Sequence, residues 1–387
     1  MTTMDHIRYL AETIGARGPT TPEEQEAARY AAQELQRMGL EPVTETFPSI
    51  KSTYHPLLAH IGVCLICEVL FWINGRSWAI AAFVLALSSL VSVMLELTFR
   101  TNPIRWLLPK GRSQNVWVKL PPHGQTRRQV VLLGHLDTHQ AALIFSSAKW
   151  LKIFGKLIPV GIGSSLLLLV WFGIGSLSTS LVWRIISLPF VLVMLGLFLL
   201  CLQAEFSPFS AGANDNASGA GVTLSLAERL TREPLANTTV WAVLSGCEEV
   251  GDYGADAFAQ AHLEELGKPY WIPVDIVGGV HADPSYLIWY SYLTTTRSDP
   301  HLLELAGRVA KANPDLKVVS HTFKGAYTEA AVGYKRGFPV LSVASFRGDG
   351  ALSDWHRTTD VMANIDPDVV RRSEEFVWQL LHEIDRV

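Results

Sequence analysis

The chain alternates between segments of amphipathic spacing and four long runs that are almost entirely apolar. Near the N-terminus, apolar residues recur at helical intervals over residues 5–16 and 22–38. The second segment opens with a threonine, a proline and two glutamates, which is typical of a capped helix start. Residues 42–47 then alternate as a strand does. This pattern predicts two amphipathic helices and a strand ahead of the first apolar run.

The apolar runs have the length of membrane spans. Leu57–Ile73 and Trp78–Leu97 cover about 17 and 20 residues, close to what the hydrocarbon core of a bilayer requires. A polar turn separates them, so they predict a helical hairpin, and Leu157–Leu177 with Ile185–Leu202 predict a second one. Buried core helices can be equally apolar, but four such runs in one chain favour four transmembrane helices.

The remaining segments have the rhythm of an α/β protein, in which short apolar strands alternate with amphipathic helices. The predicted strands are Asn115–Leu120, Gln129–Gly134, Thr238–Leu244, Val274–Val277, Leu287–Tyr290, Leu316–His321 and Pro339–Val343. The predicted helices are Gly221–Leu230, Ala255–Leu266 and Pro367–Asp385. This alternation predicts a central, mostly parallel mixed β-sheet flanked by helices on both faces.

An even number of spans returns each hairpin to the same side of the membrane, so the other segments can fold as one domain. We expect that domain to comprise residues 1–56, 100–156 and 204–387, with hairpins inserted at 57–99 and 157–203. Many lysines and arginines flank the spans on the side of the chain termini, whereas the opposite turns hold only Arg76 and Arg184. The positive-inside rule therefore predicts an integral protein, of the plasma membrane, with its α/β domain in the cytosol.

Composition supports this organisation and narrows the function. Charged residues make up 18% of the 387 positions and the mean hydropathy is +0.21, which is too apolar for a wholly soluble enzyme of this size. The net charge of −4, without a basic stripe, argues against nucleic acid as a partner. Three of the four cysteines fall in apolar runs, so the sequence predicts no disulfide framework. The oligomeric state stays open.

The loop Gly212–Gly219 is the first candidate for chemistry. It reads Gly-Ala-Asn-Asp-Asn-Ala-Ser-Gly and carries Asp215 at its centre. The small residues allow a sharp turn and a close approach of the backbone, and a carboxylate presented in this way suits a hard or borderline cation. A polar turn that caps the following helix through Asn216 or Ser218 is an equally good explanation of the loop alone.

Further acids and histidines follow predicted strands, where open α/β sheets place their ligands. They are His135 and Asp137, the pair Glu248–Glu249, Asp275 and His356. Residues two apart on a strand share a side, so Asp137 can orient the imidazole of His135. Asp275 lies in an apolar segment and needs a partner. Each group alone has a simpler explanation, such as a surface pair or acids that open a helix, but together they favour a metal site.

Five stretches, in this order, resemble the di-zinc exopeptidases of metallopeptidase family 28. They are Gly-His-Leu-Asp, Gly-Ala-Asn-Asp-Asn-Ala-Ser-Gly, Glu-Glu-Val-Gly, Val-Asp-Ile-Val-Gly and His-Arg-Thr-Thr-Asp. That family contains bacterial leucyl aminopeptidases and aminopeptidase S, and its relatives include glutaminyl cyclases and carboxypeptidases. The resemblance covers residues 5–48, 113–142 and 206–385. It implies the zinc exopeptidase fold and an aminopeptidase that acts on peptides. The four predicted spans are not part of the family's minimal domain and would make this chain a membrane-embedded member.

The resemblance also implies the ligands of two Zn²⁺ ions. Asp215 would bridge the ions, His135 and Asp275 would complete one site, and Glu249 and His356 would complete the other. Such carboxylate and imidazole ligands leave coordination positions open for water and substrate.

Two catalytic roles follow from the same resemblance. Glu248 would be the general base that takes a proton from the attacking water and passes it to the leaving amine, and Asp137 would orient His135. Where many members carry Ser-Asp or Thr-Asp near the substrate pocket, this chain has Thr328-Glu329, so the resemblance leaves the side-chain preference open.

Three alternatives to an aminopeptidase remain at this point. A glutaminyl cyclase or a carboxypeptidase would reuse the scaffold, and a carboxypeptidase needs a cation for the substrate carboxylate, for which Lys324, Lys335 and Arg347 are candidates. A membrane scaffold that only binds would predict loss of at least one ligand, and the sequence retains all five.

Overall fold

The computed structural model describes residues 1–100 and 102–387. The chain divides into two compact units. The first contains Met1–Ser49, Gly111–Gln140 and Phe209–Val387, and the second contains Ile50–Lys110 and Ala141–Pro208. Both units are therefore built from segments that are separated along the chain.

The secondary-structure elements are numbered in chain order. The strands are β1 (Val43–Ile50), β2 (Lys110–Leu120), β3 (Arg128–His135), β4 (Thr238–Ser245), β5 (Tyr270–Pro273), β6 (Ala282–Ser291), β7 (Thr295–Arg297), β8 (Val319–Lys324) and β9 (Val343–Arg347). The helices are α1 (Thr3–Arg8), α2 (Pro22–Arg37), α3 (Tyr54–Trp72), α4 (Arg76–Glu96), α5 (Ile104–Leu107), α6 (Ala148–Leu177), α7 (Leu181–Glu205), α8 (Gly219–Arg232), α9 (Tyr253–Ala261), α10 (Leu263–Leu266), α11 (Pro300–Ala312), α12 (Ala330–Lys335) and α13 (Pro367–Arg386).

The α/β class and the mixed character of the sheet predicted from the sequence are confirmed. The prediction of one central, mostly parallel sheet is wrong, because the strands form two sheets with several antiparallel pairs. One sheet has the order β1-β2-β4-β3-β5, in which β3 is parallel to β4 and β5 while β2 is antiparallel to β4. In the other, β6 is parallel to β8 and antiparallel to β7 and β9. Both sheets are thus mixed. The two-residue period of a strand carries no information about its direction, so the pattern could not show this.

Strand β3 explains why the first sheet is covered on both faces. Val130 and Leu132 belong to one hydrophobic cluster, with residues of α1, α2, α8 and α13, and Val131 and Leu133 belong to the opposite cluster. All four side chains are fully buried. Burial of each such side chain contributes about 1.5–3 kcal/mol, so a continuous apolar run is the expected sequence of this central strand.

Three predicted strands are displaced in the structure. β5 ends at Pro273, and Val274 makes only an isolated bridge to Val343 instead of beginning a strand over Val274–Val277. The backbone turns at Ile276, whose φ is 54°. The predicted strands near residues 316 and 339 begin at Val319 and Val343. Apolar loop residues that are buried beside a strand have the same composition as the strand itself, which shifts the predicted boundaries.

The second unit is a bundle in which α3 packs on α4 and α7, and α6 packs on the same two helices. Each of these four helices is long and apolar enough to cross a membrane, as the sequence predicts. Two polar side chains of α3 are paired inside the bundle. His60 forms hydrogen bonds of 3.0 Å with Ser89 and Ser165, and Glu68 accepts hydrogen bonds from Trp72 and Ser187. Pairing of this kind reduces the cost of polar groups in an apolar bundle.

Candidate metal centre

The end of β3 places the first histidine of the centre. His135 is the last residue of β3, and Gly134 before it lies against the start of α8. A Cβ atom at Gly134 would come within 2.8 Å of the backbone of Gly219 and Ala220. Glycine is therefore needed here, because the loop that carries Asp215 leads directly into this helix and must approach the strand end closely.

Three predicted ligands form the first donor group. His135 Nε2 lies 3.3 Å from Asp215 Oδ1 and 3.4 Å from Asp275 Oδ1. All three side chains are largely or fully buried. Among the described residues, neither His135 Nε2 nor Asp275 Oδ1 has a hydrogen-bond partner. The three side chains therefore bring potential metal-ligating atoms close together, and these atoms form no hydrogen bonds with one another.

The second donor group shares Asp215. His356 Nε2 lies 3.2 Å from Asp215 Oδ2 and 3.1 Å from Glu249 Oε2. His139, which the sequence analysis missed, joins this group, since one ligand atom each from His139, Glu249 and His356 lie within 4.8 Å of one another. The only sequence signal for His139 is its spacing, four residues after His135 in His-Leu-Asp-Thr-His.

These distances fit metal coordination. Two ligand atoms bound to one tetrahedral Zn²⁺ at about 2.05 Å lie about 3.3 Å apart. The four separations of 3.1–3.4 Å match that edge length. The two oxygens of Asp215 face different histidines, which is the arrangement of a bridging carboxylate. Buried carboxylates that lack donors are costly, and cations placed between them would remove that cost. The residues therefore fit a pair of metal ions.

The Asp215 loop is held from two sides. Asp360 accepts hydrogen bonds from the backbone N–H of Asn214 at 2.6 Å and of Asp215 at 3.0 Å. The fully buried Arg17 donates to the carbonyl oxygens of Ala211 and Gly212. Asp360 lies in the His-Arg-Thr-Thr-Asp stretch quoted above, but the sequence analysis assigned a role to neither residue.

Asn216 connects the loop to the segment that carries Asp275. Its side chain donates to Val274 O and accepts from the N–H of Ile276, so it spans the residue between them. It also accepts from the N–H of Gly219, so the capping role considered from the sequence exists beside this one. One carboxamide therefore positions two of the candidate ligand segments.

Asp137 has a different arrangement from the one expected. His135 Nδ1 donates to the backbone oxygen of Asp137 at 3.1 Å, while the carboxylate is 3.5 Å from the same nitrogen. The two carboxylate oxygens instead accept the backbone N–H groups of Glu248 and Glu249, each at 3.0 Å. The main chain of Asp137 thus sets the tautomer of His135, and its side chain positions the turn with both glutamates.

The electrostatics of the centre reflect carboxylates and imidazoles packed together out of water. Burial raises the pKa of Glu248 well above that of an ordinary glutamate, and His135 partly offsets the rise. Burial also raises the pKa of Glu249 to about 7. Burial alone lowers the pKa of His356, but Glu249 and Asp215 raise it to about 9. In the metal-free protein, protons on the histidines therefore balance part of the negative charge.

A buried glutamate supports the turn that carries Glu248 and Glu249. Glu24 on α2 accepts hydrogen bonds from the hydroxyl of Ser113 and the backbone N–H of Cys247. Cys247 has φ 54°, so the turn adopts a conformation that needs such support. In the sequence, Glu24 is recognisable only as an early acid of its helix.

Comparisons with known proteins give one family match and several solved structures of similar fold. Residues 200–381 match peptidase family M28. A leucine aminopeptidase precursor from Bacteroides thetaiotaomicron is 11% identical with a TM-score of 0.58, over 98% of this chain and 96% of that chain. A Zn-dependent exopeptidase from Parabacteroides distasonis is 14% identical with a TM-score of 0.58, over 99% and 96%. A glutaminyl cyclase from Tannerella forsythia is 14% identical with a TM-score of 0.56, over 98% and 97%.

A search of curated protein sequences gives no match. At these low identities the solved structures establish that the chain has the fold these proteins share. Peptidases and a glutaminyl cyclase both occur among these structures.

Proposed function

We propose that this chain is a member of peptidase family M28 that acts as a membrane-anchored di-zinc aminopeptidase. The observation that carries the proposal is the geometry around Asp215, whose two oxygens face His135 on one side and His356 on the other. Asp275 and Glu249 complete the two groups. The residues that match the family include Asp215 and the proposed ligands that follow it. His135 lies ahead of the matched residues, and its support is its position beside Asp215.

When bound, zinc ions would supply Lewis acidity, which polarises a peptide carbonyl and acidifies water. Glu248 is the proton carrier in this proposal. It is buried, and its backbone N–H is held by Asp137, so its place beside the donor groups is set by the fold. Burial raises the pKa of Glu248, which suits a group that takes a proton from water and returns it to the leaving amine near neutral pH.

The charges near the centre support an amino- over a carboxypeptidase. The candidate cations for a substrate carboxylate, Lys324, Lys335 and Arg347, are all exposed. Asp252 and Glu329, by contrast, are buried acids, and burial followed by the charge of Glu329 raises the pKa of Asp252. Acidic surroundings favour the ammonium group of a peptide N-terminus and disfavour a C-terminal carboxylate.

The four apolar helices support the membrane anchor, since each has the length and composition of a span. We further propose that the domain with the metal centre faces the cytosol of a plasma membrane. This orientation rests on the excess of lysine and arginine in the segments flanking the spans on the side of the chain termini.

The test is metal content and hydrolysis of aminoacyl anilides by the full-length protein in detergent, for the wild type and Glu248→Gln. We expect about two zinc ions per chain in both proteins and a loss of hydrolysis of at least about 10²-fold in the variant, as for a lost general base. Glu34→Gln serves as a control at another buried glutamate, which lies on α2 and has no part in the proposed site. A wild type that binds zinc but cleaves no peptide end would refute the peptidase.

Glutaminyl cyclisation is the second candidate, because cyclases share this fold at similar TM-scores. The same protein would then convert an N-terminal glutaminyl peptide to its pyroglutamyl form with release of one ammonia. Mass spectrometry separates the reactions, since cyclisation lowers the peptide mass by one ammonia, whereas hydrolysis removes a whole residue.

A further inference from the structure

His139 is a buried histidine beside the metal centre, and it lies face to face with His356. The ring centroids are 3.8 Å apart and the ring planes differ by 1°. His139 is 5% exposed and His356 is 8% exposed, so the stack lies inside the protein. The resemblance to the exopeptidases assigns no role to a histidine at this position. The presence of His139 beside Glu249 and His356 therefore needs an explanation of its own.

Hydrogen bonds fix both the backbone and the ring of His139. The backbone oxygen of His139 accepts the N–H of Ser210, and Gln140 forms a β-bridge with Phe209. The ring nitrogen Nδ1 of His139 donates to Gln140 O at 2.8 Å, which fixes the ring and its tautomer. Both histidines lie outside the strands and helices, and His356 has φ 54°. The ring of His139, fixed by its hydrogen bond to Gln140 O, can therefore restrain the ring stacked on it.

The parallel rings argue against binding of the same ion by both histidines. A nitrogen lone pair lies in the plane of its ring, so an ion bound to His356 lies in the plane of that imidazole, about 2 Å from Nε2. The ring of His139 is stacked on that of His356 with its plane parallel. The same ion would therefore lie outside the plane of His139. His139 would have to tilt out of the stack, and break its fixed orientation, to become a ligand.

We infer that His139 is a positioning residue that holds the imidazole of His356 so that Nε2 points at Asp215 and Glu249. A metal-bound imidazole carries part of the positive charge of the ion, and the face of a second aromatic ring stabilises it by stacking and by cation–π attraction. The inference rests on the proposed function, since it concerns the second of the two proposed metal sites.

The test compares His139→Phe with His139→Ala in the full-length protein. Phenylalanine keeps the aromatic face but has no nitrogen to bind a metal, and alanine removes both. Zinc affinity is measured by competition with a chelator, and the absorption spectrum of the Co²⁺-substituted protein reports the number of ligands. His262→Ala is the control, because His262 is also packed against an aromatic ring, that of Trp117, in another part of the domain.

We expect His139→Ala to weaken binding of one zinc ion by roughly 10–100-fold, as for other residues that orient a ligand, while His139→Phe keeps wild-type affinity and the wild-type Co²⁺ spectrum. Equal losses in both variants, with an altered Co²⁺ spectrum, would show that His139 is itself a ligand and overturn the inference. Unchanged affinity in His139→Ala would overturn it as well.

The phenylalanine variant carries the test if the alanine variant fails to fold, since retained or lost affinity in it decides between the two roles. A wild type without bound zinc would refute the proposed function and this inference together. Bound zinc with equal losses in the variants would refute this inference alone.

Discussion

The carboxylate of Asp137 accepts the backbone N–H groups of both Glu248 and Glu249 at 3.0 Å. One side chain at the end of β3 thereby determines where the proposed base and a proposed ligand stand, although 111 residues separate Asp137 from Glu248. A fully buried carboxylate with two backbone donors is well solvated by the protein, which makes the contact stable. The contact leads to the first prediction.

Replacement of Asp137 by asparagine should lower catalysis more than metal binding. The amide oxygen can still accept one N–H, but the amide NH₂ faces the other N–H, so the turn with Glu248 loses its position. We expect kcat to fall by about 10–100-fold with zinc content retained. Steady-state kinetics and metal analysis of the same sample test this. A variant that loses its zinc with little change in kcat per bound metal would contradict it.

Replacement of Arg17 by lysine should destabilise the domain. Arg17 donates to the carbonyl oxygens of Leu10, Gly15 and Leu136 as well as those of the Asp215 loop, and a lysine cannot reach so many acceptors from one buried position. Since buried carbonyl groups would lose their donors, we expect a loss of about 2–4 kcal/mol in the free energy of unfolding. Arg8→Lys, at an exposed arginine, is the control for denaturant unfolding.

Zinc affinity should rise with pH up to about pH 9. In the metal-free protein, burial lowers the pKa of His356, but Glu249 and Asp215 outweigh this effect and raise the pKa to about 9. Zinc must displace this proton at neutral pH, so the apparent affinity increases as the proton is lost. Chelator competition between pH 7 and 9 measures it. An affinity that is constant over this range would refute the assignment of His356 as a ligand.

The same pKa predicts how the metal-free protein depends on pH. A histidine with a raised folded-state pKa contributes stability that is fully present below its unfolded value of about 6.5 and is lost as the pH rises through about 9. The metal-free protein should therefore become less stable from pH 6.5 to 9. Thermal unfolding with chelator tests this, and His356→Gln should remove that part of the dependence.

The turns within the two hairpins should lie on the side of the membrane opposite the metal centre. Ser77 is exposed in the first turn of α4, Ser178 is exposed between α6 and α7, and Ser146 is exposed just ahead of α6. Single cysteines at these positions, labelled in intact cells with a reagent that does not cross membranes, report the orientation. We expect labelling at 77 and 178 but not at 146. The reverse pattern would place the catalytic domain outside the cytosol.

The sequence by itself determined the features that depend on neighbouring residues. The apolar runs predicted four helices of membrane-spanning length because length and composition are local properties. β3 was recognised because a strand buried on both faces is a continuous apolar run. The candidate ligands could be named because each lies in a short stretch with its own composition. The structure brings all five together, although the sequence separates His135 from His356 by more than half of the chain.

Only the tertiary structure decided the contacts that cross between segments. Nothing local to His139 indicates that it stacks on His356, and nothing near Asp137 indicates that its carboxylate holds the turn of Glu248. The direction of β2 and β9 was likewise undetermined, since hydrophobic period is blind to direction. Periodicity and motif composition indicate whether a residue is buried, exposed or in need of a polar partner. Which residue becomes that partner depends on how distant segments pack together.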